Sequence, residues 1–163
     1  IPSLRFNFRG VGESAGRYDD GRGETEDCLA VLDWVAQRRP GFAIWLAGFS
    51  FGAYVAYRAA QDPRIQQLIT VAPPVNLFDF TGLPEPTCRW TVIQGEEDEL
   101  VPPGAVWSWL DGLSVEPERI SLPADHFFHA RLTTIEAALL ERFQTDPDGD
   151  GSGRDCAFEL SRG

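Results

Sequence analysis

The stretch LAGFSFGAYVA, residues 46–56, sets a serine between two glycines where an apolar run gives way to an alanine-rich one. Residues 42–49 are almost continuously apolar, which is typical of a strand covered on both faces. Residues 51–62 are rich in alanine and stop before Pro63, which predicts a helix. Ser50 therefore lies at the junction of a predicted buried strand and a predicted helix.

The segment Gly48-Phe49-Ser50-Phe51-Gly52 fits the pattern G-x-S-x-G, in which a sharp strand-to-helix turn exposes a serine Oγ. We expect glycine at both ends because side chains there would collide with the neighbouring strand and helix. The start of the helix also offers free N–H groups that stabilise negative charge. The alternative is an ordinary tight turn with Ser50 as the helix N-cap, but the preceding apolar strand favours a nucleophile.

A nucleophilic serine needs a base, and the chain has only two histidines, both in PADHFFHARL. His126 comes just after a predicted strand at 119–122, at the sheet edge where catalytic loops collect. His129 opens the last predicted helix. We therefore favour His126 as the base and keep His129 as the alternative.

The base in turn needs a carboxylate to orient it. The acidic run EEDE at 96–99 follows a predicted strand at 89–95. The glycine that ends this strand, the aspartate three residues later and the following VP favour Asp98. Asp79, which follows the predicted strand 65–72, is the alternative acid. With Asp98, the order along the chain is serine, aspartate, histidine.

Predicted strands alternate with predicted helices along the sequence. This alternation indicates an α/β fold with a mostly parallel sheet, helices on both faces and right-handed crossovers. We expect one domain over residues 1–144 and a flexible acidic tail over 145–163, because the tail has few apolar residues and many glycines. The predicted strands are 3–8, 42–49, 65–72, 89–95 and 119–122, and the predicted helices are 24–38, 51–62, 103–113 and 129–144.

Four motifs, RFNFRGVGESAG, GFSFGAYVA, QGEEDELVPP and DHFFHARL, cover most of residues 3–132 in order. By these motifs the sequence resembles the α/β-hydrolase superfamily, and within it compact bacterial single-domain serine hydrolases related to dienelactone hydrolase and serine aminopeptidases. The resemblance implies Ser50 as nucleophile, His126 as general base, Asp98 as orienting acid and the N–H of Phe51 as an oxyanion donor. It implies cleavage of small carboxylic esters through an acyl-enzyme, with peptidase or amidase chemistry as the alternative.

The resemblance also implies that the domain lacks its first strands. In that fold the segment 3–8 would be the fourth strand, so roughly 40–50 residues should precede it. The sequence contains no methionine and opens directly into this strand pattern. The second oxyanion donor normally comes from the loop after the third strand, which would lie upstream. A truncated chain without catalysis is therefore a further alternative.

Composition bounds the remaining possibilities. The net charge of −11 would repel nucleic acids and anionic lipids, and no apolar run has the length of a membrane span. Three widely spaced cysteines, Cys28, Cys88 and Cys156, are interpreted as free thiols of a cytoplasmic protein. We predict a small-molecule ester substrate, no cofactor, no metal, no nucleic-acid or membrane partner, and a monomer or homodimer.

Two further features bear on ligands. Gly10, Gly12 and Ala15 fit G-x-G-x-x-A, so a dinucleotide-binding protein is a remote alternative, although no apolar helix begins directly after them. A short loop at 73–89 holds the position where larger relatives insert a lid. Six phenylalanines near the expected pocket rim suggest an apolar acyl pocket: Phe49, Phe51, Phe78, Phe80, Phe127 and Phe128.

Overall fold

The computed structural model describes residues 2–129 and 131–144. The chain divides into two compact units, one formed by Phe8–His129 and the other by Ile1–Asn7 together with Ala130–Gly163. The predicted tail at 145–163 lies outside the described residues. No helix within the described ranges has the length and apolarity needed to cross a membrane.

In the part of the chain that the structure describes, four parallel strands form one sheet in the order β1-β2-β3-β4. The predicted α/β class is confirmed, and eight of the nine predicted elements are present with ends within a few residues of those expected. The strands are β1 (Ile44–Phe49), β2 (Ile65–Val71), β3 (Arg89–Gly95) and β4 (Glu118–Leu122), and the helices are α1 (Arg22–Arg38), α2 (Phe51–Ala59), α3 (Pro103–Asp111) and α4 (Leu132–Gln144).

The core lies between the central strands and two helices of the larger unit. Helix α2 contacts β1 and β2, and α3 contacts β3. In the sheet, Leu68 of β2 stands opposite Trp90 of β3, and both are buried. Tyr57 from α2 and Leu110 from α3 join them in one apolar cluster. Because the strands are parallel, their carboxyl ends and the loops that follow meet at one edge of the sheet.

The predicted strand at 3–8 is wrong: the structure assigns no strand there, and Leu4 is 45% exposed. Alternating apolar and polar residues show which face of a strand could be buried, but a strand forms only where a neighbour completes its hydrogen-bonded ladder. Among the described residues, the sheet consists of β1–β4 and does not include this segment.

The glycine-rich loop that precedes α1 is held to that helix by Arg9. Its backbone N–H and its guanidinium both donate to the Asp27 carboxylate, at 2.8 Å from N and 2.8 Å from Nη2. Nη2 also donates to Glu26 at 3.2 Å. The guanidinium lies against Gly23, where a Cβ would come within 2.0 Å of Nη1. The loop is therefore fixed by a charge-assisted contact as well as by its turns.

The same loop lacks the context of a dinucleotide site. Such a site requires a strand directly before the glycines and a helix directly after them. Here the preceding segment is not a strand, and α1 begins only at Arg22. The carboxylate of Glu24, in the first turn of α1, accepts hydrogen bonds from the N–H groups of Asp19 and Gly21 at 2.9 Å each. The helix N-terminus is thus already paired with an anion from its own chain.

The Arg9–Asp27 contact predicts a pH-dependent contribution to stability. Arg9 holds the pKa of the Asp27 carboxyl below its usual value, chiefly through the side-chain hydrogen bond. The stabilisation is therefore present above the unfolded pKa of about 3.9 and is lost as the pH falls through the lower folded value. We expect Asp27→Asn to lower the thermal unfolding midpoint at neutral pH, and the gap to wild type to close in acid.

The matched control is Glu26→Gln, because Glu26 contacts the same guanidinium from an exposed position. It should change the midpoint little. A constant difference between Asp27→Asn and wild type at every pH would contradict an ionic origin of this contribution.

Candidate active site

The turn between β1 and α2 holds Ser50 in a strained backbone conformation, with φ 50° and ψ −118°. A non-glycine residue adopts a positive φ only at a cost of about 1–3 kcal/mol, which the surrounding structure must offset. The Ser50 N–H donates to the carbonyl of Val71 at 2.9 Å, so the turn is tied to β2. The Ser50 side chain makes no capping hydrogen bond to α2. The alternative in which Ser50 serves as a side-chain N-cap is therefore wrong.

The two glycines of the turn have different roles. A Cβ on Gly48 would lie 2.1 Å from the carbonyl oxygen of Gly52, which is far below any contact distance. Apart from its chain neighbours and the backbone of its own helix, a Cβ on Gly52 would meet no described atom within 4 Å. The expectation that both positions exclude a side chain is thus right for Gly48 and wrong for Gly52. The backbone of Gly52 is the surface against which Gly48 packs.

His126 is the histidine that the fold brings to Ser50. Its Nε2 lies 3.2 Å from Ser50 Oγ, and the ring is almost completely buried. His129 is exposed and its Nδ1 pairs with the Asp125 carboxylate at 2.6 Å. His129 also holds the pKa of Asp125 below its usual value, chiefly through that side-chain hydrogen bond. The alternative base is therefore engaged elsewhere.

Asp98 is the carboxylate that the fold brings to His126. The His126 Nδ1 lies 3.0 Å from Oδ1 and 2.9 Å from Oδ2. Asp98 is buried, and its Oδ1 also accepts the backbone N–H groups of Leu100 at 3.0 Å and Val101 at 2.7 Å. The alternative acid, Asp79, is exposed and accepts the N–H of Thr81 at 2.8 Å. Because a carboxylate only accepts, the His126 hydrogen resides on Nδ1 and leaves Nε2 free to accept from Ser50.

The glycine at the end of β3 explains why the two loops meet. A Cβ on Gly95 would come within 2.5 Å of the Ala124 carbonyl oxygen, so only glycine permits this approach. The same carbonyl accepts the N–H of Glu97 at 3.0 Å. The loop after β4 is thereby fastened to the loop after β3, which sets His126 beside Asp98.

Sequence reasoning missed one residue in this network, Gln94. Its side chain is fully buried, and Nε2 donates to Asp98 Oδ2 at 3.0 Å and to the Val101 carbonyl at 3.0 Å. The signal that could have found it is an amide near the end of an otherwise apolar strand, just before the glycine and the acidic run.

The first turn of α2 provides a further polar group at the site. Phe51 is the first residue of the helix, so its N–H has no acceptor inside the helix. It follows Ser50 directly, at the positive end of the helix dipole. This position suits an N–H that stabilises an oxyanion formed beside the serine.

Comparison with solved structures places this geometry in a family. XC6422 from Xanthomonas campestris, a serine hydrolase of the α/β type without a lid, is 47% identical, with a TM-score of 0.80 over 86% of this chain and 64% of that one. An α/β serine hydrolase homologue from Coxiella burnetii is 46% identical, with a TM-score of 0.80 over 85% and 67%. The chain belongs to the α/β-hydrolase superfamily.

Sequence comparison agrees with this assignment. The family model for X-Pro dipeptidyl-peptidase (S15 family) matches residues 3–83 of this chain. An uncharacterised protein of Rickettsia prowazekii, RP471, is 35% identical over 147 residues, which are 83% of this chain and 62% of that protein. The chain thus spans less than two thirds of the length of both the Rickettsia protein and XC6422.

Aromatic side chains border the candidate site. The rings of Phe49 and Phe127 each lie 5.1 Å from the His126 ring, and they are 43% and 55% exposed. The half-buried ring of Phe51, which follows Ser50 in the chain, lies 5.4 Å from that of Phe78. Phe49 and Phe127 therefore place apolar surface beside the histidine.

The other two phenylalanines expected at the rim lie in the interior. Phe80 packs between Tyr54 and Trp109, with ring centroids 5.0 and 4.7 Å away, and it is buried. Phe128 is also buried and has a positive φ of 53°. Their assignment to the rim is wrong because sequence proximity to the site does not show which way a loop side chain points.

The unequal roles of the two glycines give a direct test of the turn. We expect Gly48→Ala to destabilise the protein by about 1–3 kcal/mol or more, because its methyl group would overlap the Gly52 carbonyl. Gly52→Ala is the matched control and should unfold close to wild type. Equal midpoints for the two variants in urea unfolding would contradict the asymmetric packing described above.

Proposed function

We propose that this α/β hydrolase cleaves small carboxylic esters through an acyl-enzyme, with Ser50 as nucleophile, His126 as general base and Asp98 as its orienting acid. The observation that carries the proposal is the continuous chain of contacts from Ser50 Oγ through the His126 ring to the Asp98 carboxylate. Nucleophile, base and orienting group within hydrogen-bond reach form the arrangement that serine hydrolysis requires.

In the proposed mechanism, Ser50 Oγ attacks the ester carbonyl carbon while His126 Nε2 takes the hydroxyl proton. The carbonyl oxygen becomes an oxyanion that the Phe51 N–H stabilises. The tetrahedral species then collapses, and the alcohol leaves with the proton from His126. Water, deprotonated by the same Nε2, attacks the acyl-enzyme and releases the acid, which returns Ser50 and His126 to their starting states.

The Asp98 carboxylate has two proposed tasks. It keeps the Nδ1 hydrogen pointing away from the serine, so that Nε2 remains the accepting nitrogen. It also stabilises the imidazolium that forms in each half of the reaction. Its own orientation is held by backbone N–H groups and by Gln94. No metal or cofactor is needed for any of these steps.

Small esters fit the surroundings of the serine. The two exposed rings of Phe49 and Phe127 offer apolar surface to an acyl or alcohol group. The connection between β2 and β3 consists of residues 72–88 only, at the position where larger relatives carry a lid. The similar Xanthomonas hydrolase is itself described as lacking a lid. An open site favours soluble substrates over long lipids.

Peptidase or amidase activity is the second candidate. It is favoured by the match of residues 3–83 to the X-Pro dipeptidyl-peptidase family. The chemistry is the same acyl transfer, but an amine leaving group is poorer and must be protonated by His126 as it departs.

Several predictions from the sequence accompany this proposal. They are a domain over 1–144 with a tail over 145–163, a cytoplasmic location, a monomer or homodimer, and no nucleic-acid or membrane partner. A second oxyanion donor besides the Phe51 N–H is also predicted. If this donor is missing, about 3–4 kcal/mol of transition-state stabilisation is lost. A chain without catalytic activity is therefore the alternative to the proposed function, and the following experiments distinguish the two.

Labelling with a fluorophosphonate probe tests the activated serine. We expect an adduct on the peptide that contains Ser50, absent in Ser50→Ala and slower by at least about a hundredfold in His126→Ala. His129→Ala is the matched control for the histidine, and Asp79→Asn is the matched control for Asp98→Asn. Both controls should label like wild type. The absence of any adduct in wild type would favour the non-catalytic alternative.

Substrate preference separates the two candidate activities. Because p-nitrophenolate leaves more readily than p-nitroaniline, we expect p-nitrophenyl acetate and butyrate to be hydrolysed with a higher kcat/KM than alanyl-prolyl p-nitroanilide. Ser50→Ala provides the background rate for each substrate. A higher kcat/KM for the anilide would overturn the ester assignment and support the peptidase.

A further inference from the structure

Gln94, near the end of β3, is hydrogen-bonded to the candidate acid Asp98 in the loop that follows this strand. Its side chain is 0% exposed, and its Nε2 donates to Asp98 Oδ2 at 3.0 Å and to the Val101 carbonyl at 3.0 Å. We propose that Gln94 is a positioning residue, which fixes the rotation of the Asp98 carboxylate so that it faces His126. This inference rests on the proposed function, since it gives Gln94 a part in the same reaction.

A positioning residue is needed because the carboxylate group of an aspartate rotates easily. The torsion that turns the Asp98 carboxylate about its Cβ–Cγ bond has broad minima, so packing alone does not fix it. Oδ1 is held by the N–H groups of Leu100 and Val101. Oδ2 is held by Gln94 in addition to His126. Without Gln94, Oδ2 would have only the histidine as partner, and the carboxylate could turn with the ring instead of orienting it.

The same amide also stiffens the loop that carries the acid. Val101 donates its N–H to Asp98 Oδ1, and its carbonyl accepts from Gln94 Nε2. Gln94, Asp98 and Val101 therefore close a ring of hydrogen bonds between β3 and the start of α3. Every member of this ring is buried. In a low-dielectric interior such bonds are stronger than in water.

Gln94 contributes to the site through its side-chain hydrogen-bond donor, Nε2. Its Oε1 is buried and has no hydrogen-bond partner among the described residues, which is unfavourable. An apolar side chain of the same length would fill the space without that penalty. The amide is therefore explained by what its Nε2 holds, and Nε2 holds the carboxylate that faces His126.

A second buried glutamine offers a matched control. Gln67 in β2 donates to Thr91 Oγ1 at 3.1 Å and to the Leu68 carbonyl at 3.1 Å, with no contact to the candidate site. Gln94→Met and Gln67→Met each replace a buried amide by a thioether of similar volume. If burial of an amide alone matters, the two variants should behave alike.

The first experiment observes the histidine and needs no turnover. In proton NMR, the Nδ1–H of His126 should give a slowly exchanging low-field signal, assigned by its loss in His126→Ala. We expect its exchange with solvent to become faster in Gln94→Met and to stay unchanged in Gln67→Met. Unchanged exchange in Gln94→Met would overturn the inference. If that variant does not fold, Gln94→Asn, whose amide is one methylene too short to reach Oδ2, should give the same faster exchange.

The second experiment measures hydrolysis of p-nitrophenyl acetate. We expect Gln94→Met to lower kcat about tenfold, the equivalent of one hydrogen bond to a charged group, with little change in KM. In an Asp98→Ala background the same substitution should have no further effect on kcat. An equal loss of kcat in both backgrounds would overturn the inference in favour of a purely structural role.

The two experiments also separate this inference from the proposed function. If wild type has no esterase activity while the His126 signal responds to Gln94→Met, the proposed function fails and the positioning role stands. If wild type is active and neither kcat nor the signal responds, the positioning role fails and the proposed function stands.

Discussion

The approach of Gly48 to the backbone of Gly52 is the contact on which the site depends. The chain passes from β1 to α2 through Ser50 alone. The backbone on the two sides of this residue, at Gly48 and Gly52, therefore comes into close contact. Ser50 then has to adopt a positive φ, and its Oγ is lifted towards the histidine loop. The strain is offset by the hydrogen bond to Val71 and by the packing of α2 on the sheet.

A second close approach brings the other half of the site to the serine. Gly95 lets the Ala124 carbonyl come against the end of β3, which aligns the loop of His126 with that of Asp98. Both glycines thus act in the same way, by allowing backbone to contact backbone where a side chain would intervene. These contacts place the strained Ser50 beside the buried His126, and His126 beside the Asp98 carboxylate, which accepts several hydrogen bonds.

Much of this arrangement could be predicted from the sequence because periodicity and motif spacing report local structure. The turn around Ser50, the preference for His126 over His129 and the choice of Asp98 among four neighbouring acids all rest on such local signals. Interactions across the chain could not be predicted in this way. Whether segment 3–8 forms a strand depends on a neighbouring strand. The role of Gly52 depends on Gly48, which packs against its carbonyl. The role of Gln94 depends on a hydrogen bond to Val101, seven residues away.

Trapping the acyl-enzyme would test the central claim most directly. Rapid mixing with p-nitrophenyl butyrate, followed by acid quench and peptide mass analysis, should give a burst of p-nitrophenolate stoichiometric with the chain and a butyryl group on Ser50. The Ser50→Ala variant is the control and should give neither a burst nor an acylated peptide. Acylation of a residue other than Ser50 would contradict the account.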